Sequence, residues 1–417
     1  MSIMISHVPE TWKLEKLGQL FEERKEKVSD KDFAPLSVTK QGVVPQMEHV
    51  AKSDDSDNRK RVAEGDFVIN SRSDRRGSSG LSNLNGSVSL INIVLTPRHG
   101  YPRFLHYLMR SYAFQEEFYR VGHGIVADLW TTRYSELKGI TVALPSEQTQ
   151  KEIADFLDRE TDRIDQLIEK KQKLIVVLQE KQGAELDHLT FSNPSKNEWK
   201  RIPFRWVCRI PNGQVDPREQ PWLEMPLIAP NHIESNTGRI THIETAKEQY
   251  AISGKYTFPK GTVLYSKIRP ALAKACIAPR SGLCSADMYP LIPAKNLIPE
   301  YLLMQILSRT FTDWASIESM RVAMPKINRE TLGGFKLLIP PLTTQNKLAS
   351  IWTIKTQKID TLIQKIKDSI GQLINYRTSI ITESVTGQLD IKSWKKRGST
   401  DKHLDNIEEA MRYDGYK

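Results

Sequence analysis

Apolar residues between positions 153 and 178 return at alternating steps of four and three: Ile153, Leu157, then Ile164, Leu167, then Leu174, Leu178, with Glu160 and Lys171 in the same register. A second run repeats the pattern as Leu348, Trp352, Lys355, Ile359, Leu362, Ile366, Ser369 and Leu373. This is heptad spacing, and an α-helix gathers such positions on one face. Proline is absent from 146 to 193 and from 342 to 417, and Phe156, Ile168, Ile175, Ile363 and Ile370 widen the stripes. The spacing predicts helices over 147–182 and 342–377, each about 50 Å long at about 1.5 Å per residue. Two long apolar seams are best covered by each other, which predicts an antiparallel coiled coil within the chain. The alternative is two unrelated amphipathic helices, each packed on its own domain.

The rest of the chain has another texture. Asp66-Phe-Val-Ile69, Val88-Ser-Leu-Ile-Asn-Ile-Val-Leu95, Thr262-Val-Leu-Tyr265 and Met288-Tyr-Pro-Leu-Ile292 are short apolar runs bounded by Gly, Asn and Ser, the signature of strands. Helical patterns from Pro102 to Tyr119 and from Pro299 to Trp314 lie between them. The fold class read from this is α+β, with two mixed domains and two long helices. The pieces also repeat. Leu144-Pro145, Gln150, Ile153, Phe156, Ile164-Asp165 and Leu167-Ile168 recur as Ile339-Pro340, Gln345, Leu348, Ile351, Ile359-Asp360 and Leu362-Ile363, all displaced by 195 positions (Pro145 to Pro340). With one gap the match reaches back to Gly65-Asp-Phe-Val-Ile-Asn-Ser-Arg72 beside Gly261-Thr-Val-Leu-Tyr-Ser-Lys267, and Trp12-Lys13 is echoed by Trp199-Lys200. The chain therefore reads as a tandem duplication. Its expected pieces are a domain over 1–145, a helix over 146–192, a domain over 193–340, a helix over 341–392 and a polar tail over 393–417.

Charge adds direction. The chain has 60 basic and 50 acidic residues, a net of +10. Residues 193–340 hold 20 basic and 12 acidic side chains, residues 1–145 hold 20 and 18, and the helical segment 146–192 holds 7 and 11. Globular parts that approach a polyanion while a spacer stays off it would carry such a split. Catalytic signatures are missing: there is no phosphate loop, and no Gly-x-Gly-x-x-Gly opens a helix after a strand. Val121-Gly-His-Gly-Ile125 has two of the three glycines and is read as a turn, and the nine histidines, His123 included, lack His-x-x-x-His spacing. Cys208, Cys276 and Cys284 are odd in number and form no Cys-x-x-Cys pair, which fits a reducing cytoplasm and not structural zinc. No apolar run approaches the roughly 20 residues that span a bilayer. No metal, cofactor or catalytic residue is expected on this chain.

Its loops suit a different chemistry. Ser71-Arg-Ser-Asp-Arg-Arg-Gly-Ser-Ser79 sets Arg72, Arg75 and Arg76 beside Ser78 and Ser79 directly after a strand. Arginine pairs bidentately with guanine in the major groove, and hydroxyls reach phosphates. Lys267, Arg269 and Lys274 stand at the corresponding point of the second copy. A further set precedes each long helix: Thr131, Thr132 and Arg133 in the first copy, and Arg321, Lys326, Asn328 and Arg329 in the second.

In this order of parts the chain resembles the specificity subunit of type I restriction–modification systems. The resemblance runs from Trp12 to about Ile391 and is carried by Trp12-Lys-Leu-Glu-Lys-Leu17, Gly65-Asp-Phe-Val-Ile69, Ile140 to Pro145, Gln148 through Asp165, Phe335 to Asp360, and Thr386-Gly-Gln-Leu-Asp-Ile391. One departure is the second helix entrance, where Leu342-Thr-Thr-Gln345 stands in place of the Glu147-Gln148 pair. The resemblance implies a non-catalytic, cytoplasmic prokaryotic protein with two target-recognition domains, each reading one half of a split, asymmetric double-stranded DNA site. It further implies a helical spacer acting as a ruler, two methyltransferase subunits that supply S-adenosylmethionine chemistry, and a motor–nuclease subunit as an additional partner. The competing reading is a protein-interaction scaffold whose basic charge is incidental.

Overall fold

The computed structural model describes Met4 and residues 8–46, 57–124, 130–320 and 325–391; Arg321, Ile125 and the 393–417 tail lie outside them. The chain divides into two compact units, one made of Met1–Gln172 with Lys365–Lys417 and the other of Lys173–Gln364. Each unit thus holds one globular part and a piece of both long helices.

The helices span Glu147–Leu189 and Leu342–Val385, 43 and 44 residues, and outrun the expected 147–182 and 342–377. The extra turns are held by globular packing that heptad spacing does not register. Leu186 and Leu189 enter the core of the second unit, and Ile380, Ile381 and Val385 enter that of the first. Within the first unit the early part of one helix lies along the late part of the other, with Ile164 and Leu373 both fully buried among Leu167, Ile168 and Tyr376. Asp165 accepts from Arg377 on the same seam. In the second unit Leu186 and Leu189 share a core with Leu348, Ala349 and Trp352, and Lys355 pairs with Glu185. The pairing is antiparallel in each unit.

The seam departs from the expected register at two places. Leu174 is 44% exposed and Leu362 39% exposed, while their neighbours Ile175 and Ile363 turn inward. An α-helix turns once in 3.6 residues, so a straight helix drifts about 20° per heptad from a strict 3.5 repeat. Ile153, Leu157, Leu348 and Ile366 are buried as expected, and Leu178 and Ile359 are half-buried.

Both globular parts use one plan. An entrance strand pairs antiparallel with the strand that leads into a long helix: Lys13–Lys16 with Thr141–Leu144, and Lys200–Pro203 with Lys336–Ile339. The first unit has a four-stranded sheet in the order Phe21–Glu23, Asn92–Pro97, Phe67–Asn70, Ser79–Leu81. The second repeats it as Cys208–Arg209, Met288–Pro293, Val263–Ser266, Ala275–Ile277. These strands are apolar on both faces because both are covered. Phe67 and Ile69 enter the main core while Val68 packs with Leu36, Val62 and Val88. Val263 and Tyr265 enter theirs while Leu264 packs with Ile228, Cys276 and Met288. Two helices follow in each unit, Pro102–Arg110 with Tyr112–Val121 and Pro299–Leu307 with Arg309–Ser319. Ser111 and Ser308 cap the second of each pair, accepting from Phe114 and Phe311 amides at 3.2 Å. Among the described residues no helix is long and apolar enough to cross a membrane. The three cysteines are free and buried, and burial pushes each thiol well up.

Candidate nucleic-acid interface

In each unit the end of a central strand is clasped to the segment that precedes the last strand. Thr132 donates its amide to the Ser71 carbonyl at 3.0 Å, Ser73 donates to the Trp130 carbonyl at 3.0 Å, and Arg72 faces Thr131 in an antiparallel bridge. In the second unit Ile327 donates to Lys267 at 2.9 Å, Arg269 donates to Pro325 at 2.9 Å, and Ile268 faces Lys326. The two basic segments of each copy, far apart in sequence, therefore form a single edge.

That edge sorts the sequence candidates. Arg72, Arg75, Arg133, Arg269 and Lys326 are exposed, with Arg75 3.6 Å from Asp74. Arg76 pairs with Glu116 and lies 5.2 Å over the Tyr119 ring. Trp130 stacks on Tyr119 at 5.8 Å, and its Nε1 donates to the Tyr119 carbonyl at 2.9 Å. Tyr119 escaped sequence reasoning, because its only signal is an aromatic near the end of an amphipathic helix. His123 belongs to the clasp through its backbone, exchanging bonds with Thr131 at 2.9 and 3.0 Å.

Other candidates make contacts within the fold. Ser78 and Ser79 are buried, Ser79 inside a strand, and Thr132 is buried with its hydroxyl donating to Phe118 at 2.7 Å. Lys274 donates to the Pro230 carbonyl at 2.7 Å. Arg329 donates to the Pro211 carbonyl at 2.8 Å and lies 5.6 Å from the rings of both Tyr256 and Tyr289. Asn328 accepts from the Thr331 amide at 2.8 Å, capping Arg329–Gly334. Lys267 is half-buried, 5.5 Å from the Tyr289 ring. Arg269 holds a left-handed backbone, φ 47°, a conformation a non-glycine residue keeps only when its surroundings impose it. The bond to Pro325 and the 3-10 turn Pro270–Leu272 do so here.

Fold and edge together define a duplicated α+β protein that presents a cationic, arginine-bearing rim in each unit. Residues 197–372 match the type I restriction modification DNA specificity domain. The chain is 29% identical over 286 residues to the EcoDI specificity subunit of Escherichia coli, which covers 62% of this chain and 64% of that protein. It is 26% identical over 159 residues to the HindI specificity subunit of Haemophilus influenzae, 35% of each. The matched part thus spans just under two thirds of the first relative's length and about a third of the second's. Among solved structures, the fold matches a chain from a study of complex assembly and conformational transition in the type I restriction–modification system, with a TM-score of 0.71, 15% identity, 92% of this chain and 100% of that one. It also matches the HsdS subunit from Thermoanaerobacter tengcongensis, with a TM-score of 0.50, 16% identity, 93% of this chain and 100% of that one. Residues 197–372 thus resemble a type I DNA specificity domain, and the chain is similar in sequence and in fold to type I restriction–modification specificity subunits.

Proposed function

We propose that this chain reads a bipartite, asymmetric DNA site for a type I restriction–modification complex, one half-site per unit, without catalytic groups of its own. The observation that carries the reading is the duplicated clasp, which brings two basic segments to one rim in both units by the same two backbone bonds. Exposed arginines on a fixed rim can pair with guanine edges, and the Tyr119 ring supports Arg76 among them. The two halves differ because the rim side chains differ: Arg72, Arg75 and Arg133 in one, Arg269 and Lys326 in the other.

On this reading the long helices set the spacing between half-sites and dock two methyltransferase subunits, where S-adenosylmethionine is bound. A motor–nuclease subunit joins for restriction, and the assembly works in the cytoplasm. The test is methylation mapping across a genome with residues 193–340 exchanged for those of a relative. One half-site should change and the other persist. Binding with little salt dependence and no preference for one sequence over bulk DNA would instead favour the scaffold reading.

A further inference from the structure

A cleft of about 410 Å³ opens in the first unit between Lys40, Arg76, His106, Arg110 and Arg377, with Thr378 and Ile381 at its side. Four of these residues are cationic, and no carboxylate is among the described residues that line it. Arg110 donates to the Lys40 carbonyl and has no acidic partner among the described residues. Burial, and next the charge of Arg377, push Arg110 down; burial, Arg110 and Arg103 push His106 down to about 3, so it stays neutral. Arg377 is fixed at the rim by Asp165. Arg76 and Arg377 have carboxylate partners in Glu116 and Asp165, whereas Arg110 is held in the recess without a counter-charge, an arrangement that an oxyanion relieves.

We propose that this cleft is a phosphate clamp that grips the DNA backbone beside the reading rim and reads no bases. The inference rests on the DNA-reading function above and adds a second point of attachment to it. The occupant follows from continuity: Arg76, Gly77 and Gln115 line both this cleft and the recess beneath Trp130 and Tyr119 at the rim, so a polyanion seated on the rim runs on into it. The clamp also gives residues 1–145, with 20 basic and 18 acidic side chains, a local concentration of charge that their total does not. It is peculiar to this unit. The second unit has Leu307 at the end of the helix matching Pro102–Arg110, and Gln182 where the displacement of 195 places the partner of Arg377.

The test uses the full chain with its methyltransferase subunits, Arg110→Gln and Lys40→Gln singly and together, with melting curves as a check on folding. Binding is titrated with salt on DNA with and without the recognised sequence. Affinity for both DNAs should fall by the same factor, the slope of log K against log salt should become shallower by about one for each phosphate no longer gripped, and the methylated sequence should stay the same. An unchanged slope in the double variant overturns the clamp, and so does an altered sequence preference, which would make Arg110 a base reader. Loss of subunit assembly with intact DNA binding overturns it in favour of an acidic protein segment. Thermal shifts with inorganic pyrophosphate separate the other source: stabilisation of the unsubstituted protein by pyrophosphate, with DNA affinity insensitive to both substitutions, would assign the cleft to a free phosphate. Absence of salt-dependent DNA binding in the unsubstituted complex would sink the DNA-reading function itself.

Discussion

Gln150 accepts the backbone N–H of Tyr101 at 2.8 Å and donates to the carbonyl of Pro145 at 3.0 Å. Gln345 repeats the arrangement, accepting from Ile298 at 3.0 Å and donating to Pro340 at 2.9 Å and Asn296 at 2.8 Å. Both side chains are buried. Each ties the first turn of a long helix to the globular part of its own unit, so the repeated glutamine is a structural joint. Gln345→Leu strands the part-buried Ile298 amide and the Pro340 and Asn296 carbonyls, at about 1–3 kcal/mol per buried unsatisfied group. A loss of roughly 3 kcal/mol in urea unfolding is expected for it. Gln148→Ala, at an exposed position, should stay within about 0.5 kcal/mol. Equal effects would remove the joint.

The drift of the seam makes a second contrast. Leu373→Ala empties a fully buried position and should cost about 2–4 kcal/mol. Leu362→Ala and Leu174→Ala remove exposed side chains and should cost under about 1 kcal/mol, since little apolar area returns to water. Similar losses at Leu362 and Leu373 would restore the strict heptad register.

The clasp can be loosened without touching a charge. A Cβ added at Gly122 would fall 2.6 Å from Thr132 Oγ1, 2.7 Å from Trp130 Nε1 and 2.9 Å from the Thr131 carbonyl. Gly122→Ala should therefore push 130–132 off the helix end and relax base choice at one half-site. Arg72→Ala, Arg75→Ala and Arg76→Ala together should weaken binding and relax the same half-site, leaving the other intact in methylation maps. Equal change at both halves would contradict one unit per half-site.

The proposed ruler is tested at the unit boundaries. Seven residues added between Gln172 and Lys173 and again between Gln364 and Lys365 keep each unit's own packing. Seven is one heptad, which preserves the packing face. At about 1.5 Å per residue the insertion adds about 10 Å. DNA rises about 3.4 Å per base pair, so the spacer between unchanged half-sites should grow by about three base pairs. Retained activity at the original spacing would refute the ruler.

The sequence by itself determined the long helices, the duplication and the strand runs, because these rest on local spacing. Residues 3.6 or 2 apart share a face wherever they occur, and Phe67 to Ile69 or Ile164 to Leu167 announce their elements without reference to the rest of the chain. It could not determine which basic and hydroxyl residues stay free. Thr132, Lys274 and Arg329 look like Thr131, Lys326 and Arg269 on paper. Only the tertiary structure binds Thr132 to Phe118 and Arg329 to Pro211 while leaving Arg269 and Lys326 in solvent. The helix ends and the turn inward at Ile175 and Ile363 were decided the same way. Burial depends on which distant segment packs against a residue, and pairing 71–73 with 130–132 is a property of the folded backbone that no spacing rule contains.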